Sequence, residues 1–148
     1  MTNQQLRQKH FYEECRRQTR RALEAGEVLD TRTIACRAAK APAPFYYLEY
    51  DYALRRLGEI ARYGSNASDG AAATYKGRRA MWAELARRVK EQMDEMPELT
   101  FGRALTRVLA EGGASCYFFS DSYAHRLYHN MRNRERRHPN RLRRRHLF

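Results

Sequence analysis

The sequence predicts a mainly α protein: two tandem three-helix repeats, offset by 71 residues and packed as a pseudo-twofold helical domain. Three observations predict it. Apolar residues recur at helical spacing in six segments separated by Gly-, Pro- or Ser-containing breaks. The aromatic stretch 43–55, APFYYLEYDYALR, returns in altered form as 114–126, ASCYFFSDSYAHR. The correspondence also runs upstream without a gap, with about a dozen identities over roughly 55 positions. Phe11 falls on Trp82, Arg16 and Arg17 on Arg87 and Arg88, Glu27 on Glu98, Tyr46 on Tyr117, Tyr52 on Tyr123 and Arg55 on Arg126.

Taken in order, residues 4–25 read as a helix with an imperfect apolar stripe of Leu6, Phe11, Cys15, Ala22 and Leu23, stopped by Gly26. Asp30 or Thr31 can cap a second helix of about ten residues that turns Ile34, Ala35 and Ala38 inward. Pro42 and Pro44 end it, because proline lacks the N–H that the ladder needs. Phe45-Tyr46-Tyr47-Leu48 should be extended, and a third helix should cover 49–63 on Tyr50, Ala53, Leu54, Leu57, Ile60 and Ala61. The Gly- and Ser-rich stretch 64–70 reads as linker.

The second half repeats the order. Residues 74–96 form a long amphipathic helix on Trp82, Leu85, Ala86, Val89, Met93 and Met96. Thr100 caps a fifth helix that turns Phe101, Leu105, Val108 and Leu109 inward. Gly112-Gly113 replaces the proline turn, and Ser120 caps a sixth helix carrying Tyr123, Leu127, Tyr128 and Met131. The expected divisions are repeat one at 1–64, linker at 65–73, repeat two at 74–131 and a basic tail at 132–148. Twofold packing would let 45–48 and 116–119 meet as a short two-stranded β ladder between the repeats, and side-by-side packing without strands is the alternative.

Charge bounds the function. The 148-residue chain carries a formal net charge of +12, and its last 18 residues hold eight arginines against Glu135 alone. Guanidinium groups bind phosphates through a forked, always-charged donor set, so DNA or RNA is the expected partner. The candidate contacts are Arg16, Arg17, Arg87 and Arg88 on the first helix of each repeat, and Arg132, Arg134, Arg136, Arg137, Arg141, Arg143, Arg144 and Arg145 in the tail. Tyr46 and Tyr117, beside arginines on the extended segments, are added as candidates for stacking unpaired bases, whereas Tyr52 and Tyr123 sit on helix stripes and are expected in the core. The arginine doublets could equally pair with Glu13, Glu14, Glu84 and Glu91 as ordinary helix-surface charge. The alternative reading is a non-catalytic interaction or structural subunit of a phage-like or ribonucleoprotein assembly, with the aromatic turns as contact surface and an acidic protein as partner.

Catalytic signals are weak. The sequence has no phosphate-binding Gly loop, dinucleotide fingerprint or nucleophile elbow, so no enzyme and no cofactor is expected. His125 and His129 stand four apart without a fixed third ligand, and no metal site is expected. Cys15, Cys36 and Cys116 lack C-x-x-C spacing and read as free thiols in a cytoplasmic protein. The first nine residues have no apolar core of a signal peptide, and no apolar run reaches the roughly 20 residues a membrane span needs. Residues 33–39 followed by 52–57 loosely resemble a helix–turn–helix. The connection is longer than the three or four residues that motif needs, so no recognition residues are transferred.

Overall fold

The computed structural model of the chain describes residues 1–64 and 76–137, which hold six helices. They are α1 (Asn3–Glu24), α2 (Thr31–Lys40), α3 (Tyr50–Tyr63), α4 (Lys76–Glu95), α5 (Phe101–Glu111) and α6 (Asp121–Arg137). Side-chain caps set most of the starts. Thr2 and Gln5 form a reciprocal capping box on α1. The Asp30 carboxylate accepts from the Thr33 N–H at 2.7 Å, Thr100 Oγ1 from Arg103 at 3.3 Å and Ser120 Oγ from Tyr123 at 3.2 Å. Gly26 takes a positive φ of 70° just past α1, which is the conformation a residue ending a helix there needs.

The expected linker, 65–73, lies outside the described residues, and the helices on its two sides associate. α2 packs on α1 and, most extensively, on α6, while α5 packs on α4 and on α3. Each group of three therefore draws two helices from one side of the linker and one from the other. α3 and α6 reach the opposite group because the segments before them, 41–49 and 112–120, cross. One continuous core results, joining Phe11, Cys15 and Ala35 to Leu85, Leu105 and Ala124.

At the crossing, no two-stranded β ladder forms among the described residues. The segments meet in a single antiparallel bridge, Ala43 to Ala114, with the Ala43 N–H donating to the Ala114 carbonyl at 3.0 Å. The expected runs 45–48 and 116–119 do not pair. Two causes are local. Pro42 and Pro44 flank the bridge and supply no N–H. Tyr47 and Phe118 take positive φ values of 59° and 56°, which turns the chain out of an extended course. The Tyr117 N–H donates instead to the Ala39 carbonyl at 2.9 Å.

Two glycines permit this approach. A Cβ on Gly113 would lie 2.4 Å from the Ala43 carbonyl oxygen, and one on Gly77 would lie 2.3 Å from that of Phe118. Both obstacles are backbone, so Gly113→Ala and Gly77→Ala are each expected to lower stability by roughly 1–3 kcal/mol in a denaturant melt. Gly58→Ala, whose Cβ would meet nothing within 4 Å, is the control and should be neutral or stabilising.

α6 runs past the expected boundary at residue 131, ending at Arg137, two residues before Pro139. The Tyr12 hydroxyl donates to the Glu135 carboxylate, and Arg16 Nη1 lies 3.7 Å from the same group, which ties this last stretch to α1. Arginines at a helix C-terminus also suit the negative end of the helix dipole.

Candidate nucleic-acid interface

α1 and α6 lie against each other, so arginines distant in sequence share one face. A shallow groove of about 320 Å³ between them is lined by Arg16, Thr19, Arg20, Leu23, Tyr128 and Arg132. The Arg132 guanidinium sits 5.4 Å from the centre of the Tyr128 ring, which orients it without neutralising it. Arg16 shares Glu135 with Tyr12, as above. Arg20, Arg134, Arg136 and Arg137 meet no carboxylate within 4.0 Å among the described residues. The groove and the last turn of α6 are therefore under-compensated among the described residues, with Glu135 paired to Arg16.

The arginine doublets divide into different roles. Arg17 is fixed on buried Glu14, Nη2 to Oε2 at 2.6 Å, while Gln18 donates to the other carboxylate oxygen at 2.9 Å. Arg88 donates to the Tyr46 hydroxyl at 2.8 Å and to the Gly113 carbonyl at 2.9 Å, bracing the chain crossing. Arg87 is paired with Glu91 at 2.8 Å on the exposed side of α4. Arg17 and Arg88 thus spend their donors on the fold, whereas Arg16 stands at the groove. Arg141, Arg143, Arg144 and Arg145 lie outside the described residues.

The tyrosine expectation is corrected. Tyr46 and Tyr117 are 4% and 1% exposed, so neither ring has a face free to stack a base. Phe11 meets Tyr117 edge-on at 5.7 Å, and Tyr47 stacks on it at 6.4 Å. Burial raises the hydroxyl pKa of Tyr117 to about 12, with the charge of Glu14 adding to the shift, and burial raises that of Tyr46 as well. Tyr52 and Tyr123, expected in the core, instead stand half-exposed at the mouth of a cleft between the halves. Each buried ring directly precedes a residue with positive φ, Tyr47 or Phe118.

The histidines make local contacts. His125 Nε2 lies 3.2 Å from Thr31 Oγ1, and His129 Nε2 lies 3.2 Å from the Asn133 amide. Among the described residues no group of three or more His, Cys, Asp or Glu side chains is placed to hold a metal ion. Cys15 is buried among apolar neighbours, which pushes its thiol pKa far up and leaves it unreactive. No helix among the described residues is long and apolar enough to cross a membrane. Comparison of the chain with family models, curated proteins and solved structures finds no match.

Proposed function

We propose that this protein is a small accessory factor that binds DNA or RNA, gripping phosphates along the α1–α6 face and continuing onto the basic C-terminal residues. The observation that carries the reading is the groove lined by Arg16, Arg20 and Arg132, with Arg134, Arg136 and Arg137 following in the last turn of α6. Helical order spaces these last charges along a rod instead of leaving them on a loose chain. Guanidiniums without acidic partners lose little on meeting a phosphate and gain a charge-assisted contact.

The repeat belongs to the same proposal. We infer an old duplication whose two copies exchange their third helices about an approximate twofold axis through the Ala43–Ala114 bridge. Supporting it, the bridged residues stand 71 positions apart, and so do the two non-glycine residues with positive φ, Tyr47 and Phe118. The interaction-module reading asks for Tyr46, Tyr47, Tyr117 and Phe118 as an exposed patch, and the burial of Tyr46 and Tyr117 weighs against it.

The test is a salt titration of duplex and single-stranded affinity. Arg16, Arg20 and Arg132 replaced together by glutamine should reduce the slope of log K against log[salt] by roughly 2 to 3, since each lost phosphate contact removes about 0.7–0.9. Arg87→Gln, at a residue paired with Glu91, should leave it nearly unchanged. An unchanged slope in a folded triple variant would remove the face from the account.

A further inference from the structure

The cleft between the halves is built from residues that the α1–α6 face does not use. Its volume is about 380 Å³, within the range of small-ligand sites. Arg7 of α1 and Arg78 of α4 enter it from opposite helices, 71 positions apart in sequence. Tyr52 and Tyr123, again 71 apart, stand on its walls, each backed by a further aromatic ring. Tyr52 meets Trp82 edge-on at 5.9 Å, and Tyr123 meets Phe119 at 4.9 Å. Outside them lie the exposed residues Arg55, 5.7 Å from the Tyr52 ring centre, and Arg126, 5.5 Å from that of Tyr123.

The electrostatics of this arrangement are unsatisfied. No Asp or Glu is among the described residues that line the cleft. Arg7 is held inside by donating to the Tyr117 carbonyl and by lying 4.2 Å over the Phe119 ring. Burial lowers its pKa to about 10, the nearby charge of Arg78 pulls the same way, and it stays charged at neutral pH. Arg78 has neither a hydrogen bond nor an ion pair among the described residues. Part-buried Arg7 and exposed Arg78 thus present two like charges to the cleft with no acidic partner among the described residues, and an anion entering between them would be attracted by both. The aromatic walls add a requirement on shape: the anion should carry a flat ring.

We propose that this cleft is a binding site for one unpaired nucleotide, its phosphate between Arg7 and Arg78 and its base against Tyr52 or Tyr123. Stacking on an aromatic side chain is open to any base, so the site selects unpaired over paired nucleotides and is indifferent to sequence. The nucleotide is either a free mononucleotide or a residue of a single strand. The two sources share the same chemistry.

Trp82 is the single tryptophan, and its ring borders the cleft, so its fluorescence reports directly on occupancy. The full chain would be titrated at constant salt with a 5′-mononucleotide, a short oligothymidylate, a blunt duplex and inorganic phosphate. The expected result is a saturable change in Trp82 emission with the mononucleotide or the oligothymidylate, and a much smaller one with duplex or phosphate. Equal affinities for the first two mark a free nucleotide as the ligand, and affinity at least tenfold higher for the strand marks single-stranded nucleic acid. Arg78→Gln should weaken this response roughly tenfold or more, the loss of one charge-assisted contact, with the melting curve little changed because Arg78 makes no hydrogen bond or ion pair among the described residues. Arg126→Gln at the rim should weaken it less. No saturable response from either single nucleotide or strand, or an undiminished response in a folded Arg78→Gln variant, would overturn the proposal. The triple Arg16, Arg20, Arg132 variant should keep the Trp82 response, so failure of the cleft and failure of the α1–α6 face are read separately.

Discussion

Residues 1–64 produced alone as a monomer are expected to be largely unfolded, and to recover native helicity when mixed with residues 65–148. The reason lies in who covers whom. α2 turns Ile34, Ala35, Ala38 and Ala39 into the core, and its largest neighbour is α6, which the fragment lacks. α3 loses α5 at the same time. A fragment of about 60 residues is marginal even when its core is intact, and this one would present two uncovered apolar helix faces. Circular dichroism of each fragment and of their equimolar mixture checks it. Assembly of 1–64 into a homodimer would fit the same account, a second copy supplying the exchanged helix. A monomeric 1–64 that melts cooperatively with full native helicity would contradict the exchange.

Replacing Arg141, Arg143, Arg144 and Arg145 by glutamine should have the largest effect on binding. These four carry a charge of +4 in five residues, next to the helical arginines of α6. If each meets one phosphate, their loss lowers the salt slope by roughly 3 to 4 and weakens duplex affinity by orders of magnitude at low salt, with a smaller loss at high salt. These four residues lie outside the described residues, so a melting curve of the variant is recorded alongside to show that the body is folded. A filter-binding or anisotropy titration at several salt concentrations reads both quantities. Unchanged affinity and slope would leave the body alone as the binding surface.

Much of the fold was legible in the sequence because helix starts are written in single residues. Asp30, Thr100 and Ser120 cap α2, α5 and α6 where an acceptor side chain precedes a periodic run. The end of α6 was also available. No Gly or Pro interrupts 121–138, and Pro139 is the first stop, but the density of arginine there suggested a tail and hid a helix. What a single sequence does not carry is which apolar face covers which. Periodicity gives α3 and α6 an inner side, yet the same stripe serves a partner from either half.

The site was read less well for a related reason. On an extended segment one side faces out, which made Tyr46 and Tyr117 candidates for stacking, whereas both rings are buried, each just before a residue with positive φ. A non-glycine residue in that conformation leaves no compositional trace at Tyr47 or Phe118. The arginines were judged by clustering, which favoured the Arg16–Arg17 and Arg87–Arg88 doublets. One member of each doublet proved to hold the fold, through Glu14 in one half and Tyr46 with Gly113 in the other. Arg7 and Arg78 stand alone in sequence and become a pair only when α1 and α4 face the same cleft. The 71-residue offset was the signal that could have joined them.

The central claim is that under-compensated arginines on α1, α6 and the C-terminal residues bind nucleic-acid phosphates. The most direct measurement is the affinity of the intact chain for a short duplex across a series of salt concentrations. A linear log–log plot with a slope steeper than about −3 is the predicted result, as expected when several phosphate contacts displace condensed counterions. A slope near zero, or no binding at low salt, would contradict it.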